Sequence, residues 1–296
     1  MIQLKGKPVA DSISEDIAGR ITKLYENNIV PTLAIVRVGD NPGDVAYENG
    51  AIKRAKALGM QVEKYICPAD MEDDDLVLVI ESINNNSKIH GILLLQPLPA
   101  HMDADKVRNA ICKEKDVDCI SDASLCDFFL HDDYAFSPCT AESAMRILNH
   151  YDVDIAGKKA VVIGRSMVIG RPAALMLMRN NASVTVCHSK TPAEDLANYC
   201  READIIVTAA GMASAVTAEM LTGKQIVVDV GINFDEEEKM IGDADFAGIE
   251  EADAAHGITP VPGGVGSVTN TVLMEHLLEA ALRYLDKVDA ERESEI

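Results

Sequence analysis

Tryptophan is absent from this chain of 296 residues, and only five phenylalanines and seven tyrosines are present. A core must therefore be built from Ile, Leu, Val, Met and Ala, which the 48% apolar content supplies in ordinary amount. Basic residues are scarce: 27 stand against 48 acidic ones, for a formal net charge of −21. Such a surface repels nucleic acid and anionic membranes and speaks against both as partners. An anionic small molecule would need a local basic pocket. The acidic runs Met71–Asp75 and Glu236–Glu238 read as solvated faces. No run approaches the roughly 20 apolar residues of a membrane span. The opening "MIQLKGKPVADSISEDI" lacks the apolar stretch of a signal peptide, so a cytoplasmic location is expected. There is no C-x-x-C. Cys112, Cys119 and Cys126 recur every seven residues without a fourth ligand or a His pattern, so reduced thiols are expected and a metal is not.

What is present is alternation. Val9, Ile13, Ile17, Ile21 and Leu24 fall at helical spacing, predicting a helix over 9–27. "TLAIVRV" (32–38) reads as a buried strand, "GDNPGD" (39–44) as a turn, and a helix then runs to Leu58 before Gly59. A strand "QVEKYIC", a helix over 72–84 and a strand "GILLL" (91–95) follow. Residues 113–140 read as irregular and 141–151 as a helix. The pattern then restarts, with strands at 159–163, 183–187, 204–208 and 225–230, intervening helices to about 180 and over 192–202, and a long helix over 268–287. Apolar strands alternating with helices predict an α/β fold with parallel sheets covered on both faces. The chain length suits two domains. We expect a first domain over 1–140, a second over 141–270, and a C-terminal helix over 271–296.

The stretch "VVIGRSMVIGRP" (161–172) follows a strand and opens a helix, and Gly164 and Gly170 carry no side-chain bulk. A helix N-terminus there offers free N–H groups to a phosphate. The spacing is G-x5-G rather than G-x-G-x-x-G, so the pattern alone leaves an ordinary turn open. An NAD site usually has an acid at the end of the next strand for the ribose 2′-OH. Here that strand ends "VCHSKT", with Ser189 and Lys190 in place of an acid and Arg165 in the loop, which favours a 2′-phosphate and hence NADP. An ordinary polar turn at 188–191 is the alternative.

"GRSMVIGRP", "PCTAES", "KDVD", "VDVGIN" and "TPVPGGVGSVT", in this order and spacing, make the chain resemble the methylenetetrahydrofolate dehydrogenase/methenyltetrahydrofolate cyclohydrolase family, from "VGDNP" to the last helix. The resemblance implies a folate-binding N-terminal domain, a Rossmann-like NADP-binding domain, and a C-terminal helix returning to the first. It also implies a cytoplasmic homodimer in one-carbon metabolism. By the same resemblance Gly164, Arg165 and Ser166 form the dinucleotide loop, Ser189 contacts the 2′-phosphate, and Ile232 lies beside the nicotinamide half. Tyr47 stacks on the folate ring system, Asp118 hydrogen-bonds the pterin, and Pro262, Gly263 and Gly264 shape the folate site. Tyr47, Asp118 and Gln96 are the catalytic candidates.

The departures lie together. The family pattern Y-x-x-x-K puts a catalytic lysine four residues after the tyrosine, and here that position is Ala51. Four residues advance a helix by about 40° beyond a full turn, whereas Lys53 lies roughly 240° round from Tyr47 and faces elsewhere. The family glutamine that supports the lysine corresponds to Leu95, with Gln96 one step on and so on the other strand face. Asp44 and Ser267 replace a serine and a proline. Hydride transfer relies on the cofactor and on alignment, but opening the methenyl ring needs proton transfer from a group of tuned pKa. We therefore expect NADP-dependent oxidation of 5,10-methylenetetrahydrofolate, with the family's cyclohydrolase activity weak or lost. A catalytically silent folate/NADP-binding paralogue is the alternative. An unrelated α/β dehydrogenase would explain the glycine loop but not the other motifs.

Overall fold

The computed structural model describes residues 1–131 and 136–294. The chain forms two compact units: one of Ile13–Ser137 with Asn270–Ile296, the other of Met1–Ser12 with Pro138–Thr269.

The first unit is built on a three-stranded parallel sheet in the order Gln61–Cys67, Thr32–Val38, Gly91–Leu94. All seven residues of the central strand are buried, which is why "TLAIVRV" reads as one apolar run broken only by Arg37. The edge strand Gln61–Cys67 has mostly exposed or half-buried residues, as an edge strand with one free side does. Helix Asp73–Asn84 turns Leu76, Ile80 and Ile83 inward at i, i+4, i+7 against Ala34, Val36 and Ile92. The acidic run therefore occupies that helix's first turn, where the dipole favours negative charge. From Asn270 onward, helix Gly266–Ser294 packs on this unit; His276 Nδ1 lies 2.8 Å from the Val117 carbonyl, and Arg20 bonds Glu279 at 2.6 Å.

The second unit carries a six-stranded parallel sheet in the order Ile2–Gln3, Gly257–Ile258, Ile226–Asp229, Ile205–Thr208, Lys159–Ile163, Ser183–Cys187. From Lys159–Ile163 the chain first crosses to Ser183–Cys187 on one side, then returns to Ile205–Thr208 on the other. The connection reverses there, and in open parallel sheets the crevice at such a reversal, beyond the C-terminal strand ends, is where ligands bind.

Besides the short strands Ile2–Gln3 and Gly257–Ile258 and a longer last helix, three details differ from the sequence expectation. The 9–27 helix is two helices, Gly6–Arg20 and Thr22–Glu26, divided at Ile21. The "GDNPGD" stretch is already helical from Pro42, because Asn41 caps it by accepting from the Gly43 N–H at 2.8 Å. Within 113–140, a helix Asp122–Leu130 forms with Ser121 as its cap; residues 132–135 of that stretch lie outside the described residues.

Candidate active site

In the second unit the dinucleotide candidates gather at the C-terminal strand ends. Gly164 follows strand Lys159–Ile163 with φ +130°, a conformation open to glycine. A Cβ on Gly164 would collide with the Ala209 carbonyl, and one on Gly170 with the Gly164 carbonyl. The loop is thus folded as tightly as bare backbone permits, and helix Gly170–Arg179 starts at its end. Ser166 Oγ accepts from the Ile169 N–H at 3.2 Å, which closes the loop onto the helix, while the Arg165 and Ser166 side chains stay exposed. The neighbouring strand ends in register, Ile163 opposite Cys187. Its turn is knit by His188 and Thr191, with the His188 N–H donating to Thr191 Oγ1 at 3.0 Å, and Ser189 and Lys190 exposed at the tip. A glycine-walled cradle, a helix start and Arg165, Ser189 and Lys190 at adjacent strand ends fit a dinucleotide with a 2′-phosphate. Ile232 follows Ile226–Asp229 and is 60% exposed. Pro262, Gly263 and Gly264 follow Gly257–Ile258; Gly263 and Gly264 accept from the Gly6 N–H at 2.8 Å and Ser267 Oγ at 2.7 Å.

In the first unit Tyr47 is half-buried on helix Pro42–Ala57, and Ala51, one turn further, is fully buried. Leu95, just beyond strand Gly91–Leu94, is buried, and Gln96 is exposed. The position of the family glutamine thus carries a buried aliphatic side chain rather than an amide. The "KDVD" motif divides its labour. Lys115 donates to the carbonyls of Ile83, Asn84 and Asn86 at 2.8–2.9 Å, capping the end of helix Asp73–Asn84. Asp116 is fully buried and accepts from the Ile120 and Ser121 N–H groups. Asp118 is left half-buried at the end of this anchored run.

The sequence reading missed a buried ion pair beside Tyr47. Glu48, 3% exposed, takes Arg37 Nε at 2.8 Å and Lys64 Nζ at 3.3 Å; Arg37 also binds Asp40 at 2.6 Å and the Gly39 carbonyl. Asp40 and Glu48 hold the Arg37 pKa above its usual value. Burial pushes the Asp44 carboxyl pKa up, with Arg37 pulling the other way. The signal was available: Asp44, Glu48, Ala51 and Ala55 form one helical stripe, and a lone Arg interrupts the buried strand. A cavity of about 620 Å³ in this unit, lined by His90, Lys115 and Tyr284, lies at the opposite strand ends and contains none of the candidates.

Comparison with known proteins agrees with this geometry. The catalytic domain of tetrahydrofolate dehydrogenase/cyclohydrolase matches residues 4–118, and its NAD(P)-binding domain matches 138–285. The bifunctional protein FolD of Alkaliphilus oremlandii is 45% identical over 277 residues, 94% of this chain and 96% of that one. The crystal structure of the Campylobacter jejuni bifunctional enzyme FolD, a methylenetetrahydrofolate dehydrogenase/cyclohydrolase, is 36% identical with TM-score 0.91, covering 96% of this chain and 99% of that one. The Trypanosoma brucei enzyme, solved with NADP cofactor and inhibitor, is 30% identical with TM-score 0.89, covering 96% and 98%. Two domain matches in sequence order, nearly full-length relatives and a cradle built for a dinucleotide lead to one assignment: the chain belongs to the tetrahydrofolate dehydrogenase/cyclohydrolase family.

Proposed function

We propose that the protein is an NADP-dependent 5,10-methylenetetrahydrofolate dehydrogenase in which the family's second activity, hydrolysis of the methenyl product, is weak or lost. The observation that carries this reading is an intact cradle at Gly164–Gly170 combined with buried Ala51 and Leu95 at the positions of the catalytic lysine and its glutamine. When bound, NADP supplies the hydride acceptor. The chain's own residues bind and orient. Gly164, whose N–H is spent on the Cys187 carbonyl at 2.9 Å, leaves bare backbone for the close approach, Arg165 and Ser166 line the pyrophosphate side, and Ser189 with Lys190 takes the 2′-phosphate. Tyr47 gives the folate ring an aromatic face. Asp118 accepts from the pterin N–H groups, a charge-assisted contact that fixes the ring. Pro262, Gly263 and Gly264 shape the folate site. None of this requires a proton carrier at position 51. Methenyl hydrolysis does, and losing a general acid–base costs roughly 10²–10⁴ in rate. The family resemblance supports a homodimer and a cytoplasmic location; no helix among the described residues is long and apolar enough to cross a membrane.

The test mixes the protein with methylenetetrahydrofolate and NADP and follows NADPH and methenyltetrahydrofolate together. Equal accumulation of both is the expected result. Methenyl consumed faster than its uncatalysed hydrolysis would mean that another group has replaced the lysine. No turnover with both ligands bound would identify a silent paralogue.

A further inference from the structure

Two buried carboxylates, neither with a cationic partner among the described residues, meet beyond the ends of the central strands of the second unit. Asp229, 2% exposed, ends strand Ile226–Asp229. Its Oδ1 accepts from the Gly231 and Asp243 N–H groups at 2.9 and 3.0 Å, and its Oδ2 from the Ala244 N–H at 2.8 Å. Asp243 is fully buried. Its Oδ2 accepts from the Ala210 and Gly211 N–H groups at 2.5 and 3.1 Å and from Thr208 Oγ1 at 3.3 Å. Its Oδ1 accepts from the Met212 N–H at 3.0 Å and Asn233 Nδ2 at 2.9 Å. Among the described residues, no Lys, Arg or His forms an ion pair with either carboxylate. A Cβ at Gly231 would collide with Asp243, and one at Gly242 with Asp229, so the backbone closes directly on both groups.

Burying two carboxylates is costly unless every oxygen is satisfied, and here backbone amides do most of that work. The bonds fasten segment 243–244 to two loops, 209–212 after Ile205–Thr208 and 230–233 after Ile226–Asp229. Ile232 stands between Gly231 and Asn233, both tied to the clasp, yet its own side chain is 60% exposed. Met212 is likewise 59% exposed on a tethered N–H. The fixed backbone thus presents two apolar side chains beside the point where the sheet reverses.

We infer that Asp229 and Asp243 are positioning residues for the cofactor: they lock the two loops that present Ile232 and Met212 to its nicotinamide half. This rests on the reading that the unit takes NADP at these strand ends. The test uses the full chain and two ligands, NADP and 2′-phospho-ADP-ribose, the latter identical but lacking nicotinamide. Asn233→Ala removes one tether from Asp243 together with the bond from Asn233 Nδ2 to the Gly242 carbonyl at 3.0 Å; Asp243→Asn disturbs the carboxylate itself. For Asn233→Ala we expect NADP to bind roughly tenfold more weakly, the scale of one lost charge-assisted hydrogen bond. Binding of 2′-phospho-ADP-ribose and the KM for methylenetetrahydrofolate should be unchanged, while Tm falls modestly as Asp243 and the Gly242 carbonyl each lose a donor. Asp243→Asn should show the same selective loss, larger. Equal weakening of both ligands, or no change in either variant, would overturn the positioning role. Failure of the unsubstituted protein to bind either ligand would overturn the NADP reading and this inference with it.

Discussion

At position 51 a methyl group stands where the family pattern carries an ammonium, and the surroundings have closed on it. Ala51 is fully buried, and one turn earlier Glu48 is already engaged by Arg37 and Lys64. A lysine introduced here must find room and lacks the glutamine partner. Ala51→Lys should therefore raise methenyl hydrolysis only part of the way, by about tenfold to a hundredfold of the roughly 10²–10⁴ a general acid–base supplies. Adding Leu95→Gln should raise it further. Single-turnover hydrolysis of methenyltetrahydrofolate measures both; no gain in the double variant would mean the remaining site cannot perform the reaction. Glu48 carries a different expectation. Removing one partner of a buried pair costs about 3–5 kcal/mol when the other charge is left unpaired; Arg37 keeps Asp40 and the Gly39 carbonyl, so Glu48→Leu should cost about 3 kcal/mol, the low end, and Arg37→Met with Glu48→Leu should cost less than the single change. Denaturant unfolding of the set decides it; a double variant less stable than the single would show that the pair is net stabilising.

Among the elements, the loop Gly164–Gly170 is where local geometry reaches furthest into function. Gly170→Ala puts a methyl group against the Gly164 carbonyl, and because that obstacle is backbone the loop must shift. Strain of about 1–3 kcal/mol at such a site corresponds to roughly 10- to 100-fold weaker NADP binding. NADPH fluorescence titration measures it, and unchanged affinity would remove the loop from the binding site. The elements also show what the sequence could reveal. Strands such as Thr32–Val38 and Lys159–Ile163 were legible because both faces are covered and their residues are mostly apolar, Arg37 being the interior exception. Ile2–Gln3 and Gly257–Ile258 were not, since two residues carry no periodicity and their pairing joins residues far apart in sequence. Helix Asp122–Leu130 was hidden because its inward set is only Ser124 and Phe128. At the site, the glycines and Asp118 could be found by pattern. Asp229 and Asp243 could not, because their partners are backbone N–H groups that only the fold brings near.

Across the whole molecule, the two units carry buried groups of opposite response to acid. His90, 6% exposed, accepts the Thr32 N–H on Nδ1 at 3.2 Å and is therefore neutral. Burial, with the nearby Lys115 charge, lowers its pKa to about 4. Its contribution is fully present above the unfolded value near 6.5 and is lost as pH falls toward 4, by up to about 3 kcal/mol. Asp229 runs the other way. Burial, opposed by its three backbone N–H bonds and helped by Asp243, raises its pKa to about 6. The cost of its ionised form is fully present above pH 6 and is relieved as pH falls toward the unfolded value near 3.8, again by about 3 kcal/mol. The exposed ion pairs of both units are screened and contribute little to this contrast. Hydrogen exchange resolved by peptide, corrected for the intrinsic pH dependence, should then separate the units. Between pH 6.5 and 4, protection in Thr32–Val38 and Gly91–Leu94 should fall relative to Ile205–Thr208 and Ile226–Asp229. His90→Asn keeps an acceptor for the Thr32 N–H and should flatten the first response; Asp229→Asn should flatten the second. Both units losing protection in parallel, with neither substitution altering the slope, would mean that acid sensitivity is set by the net charge of −21 rather than by these two groups.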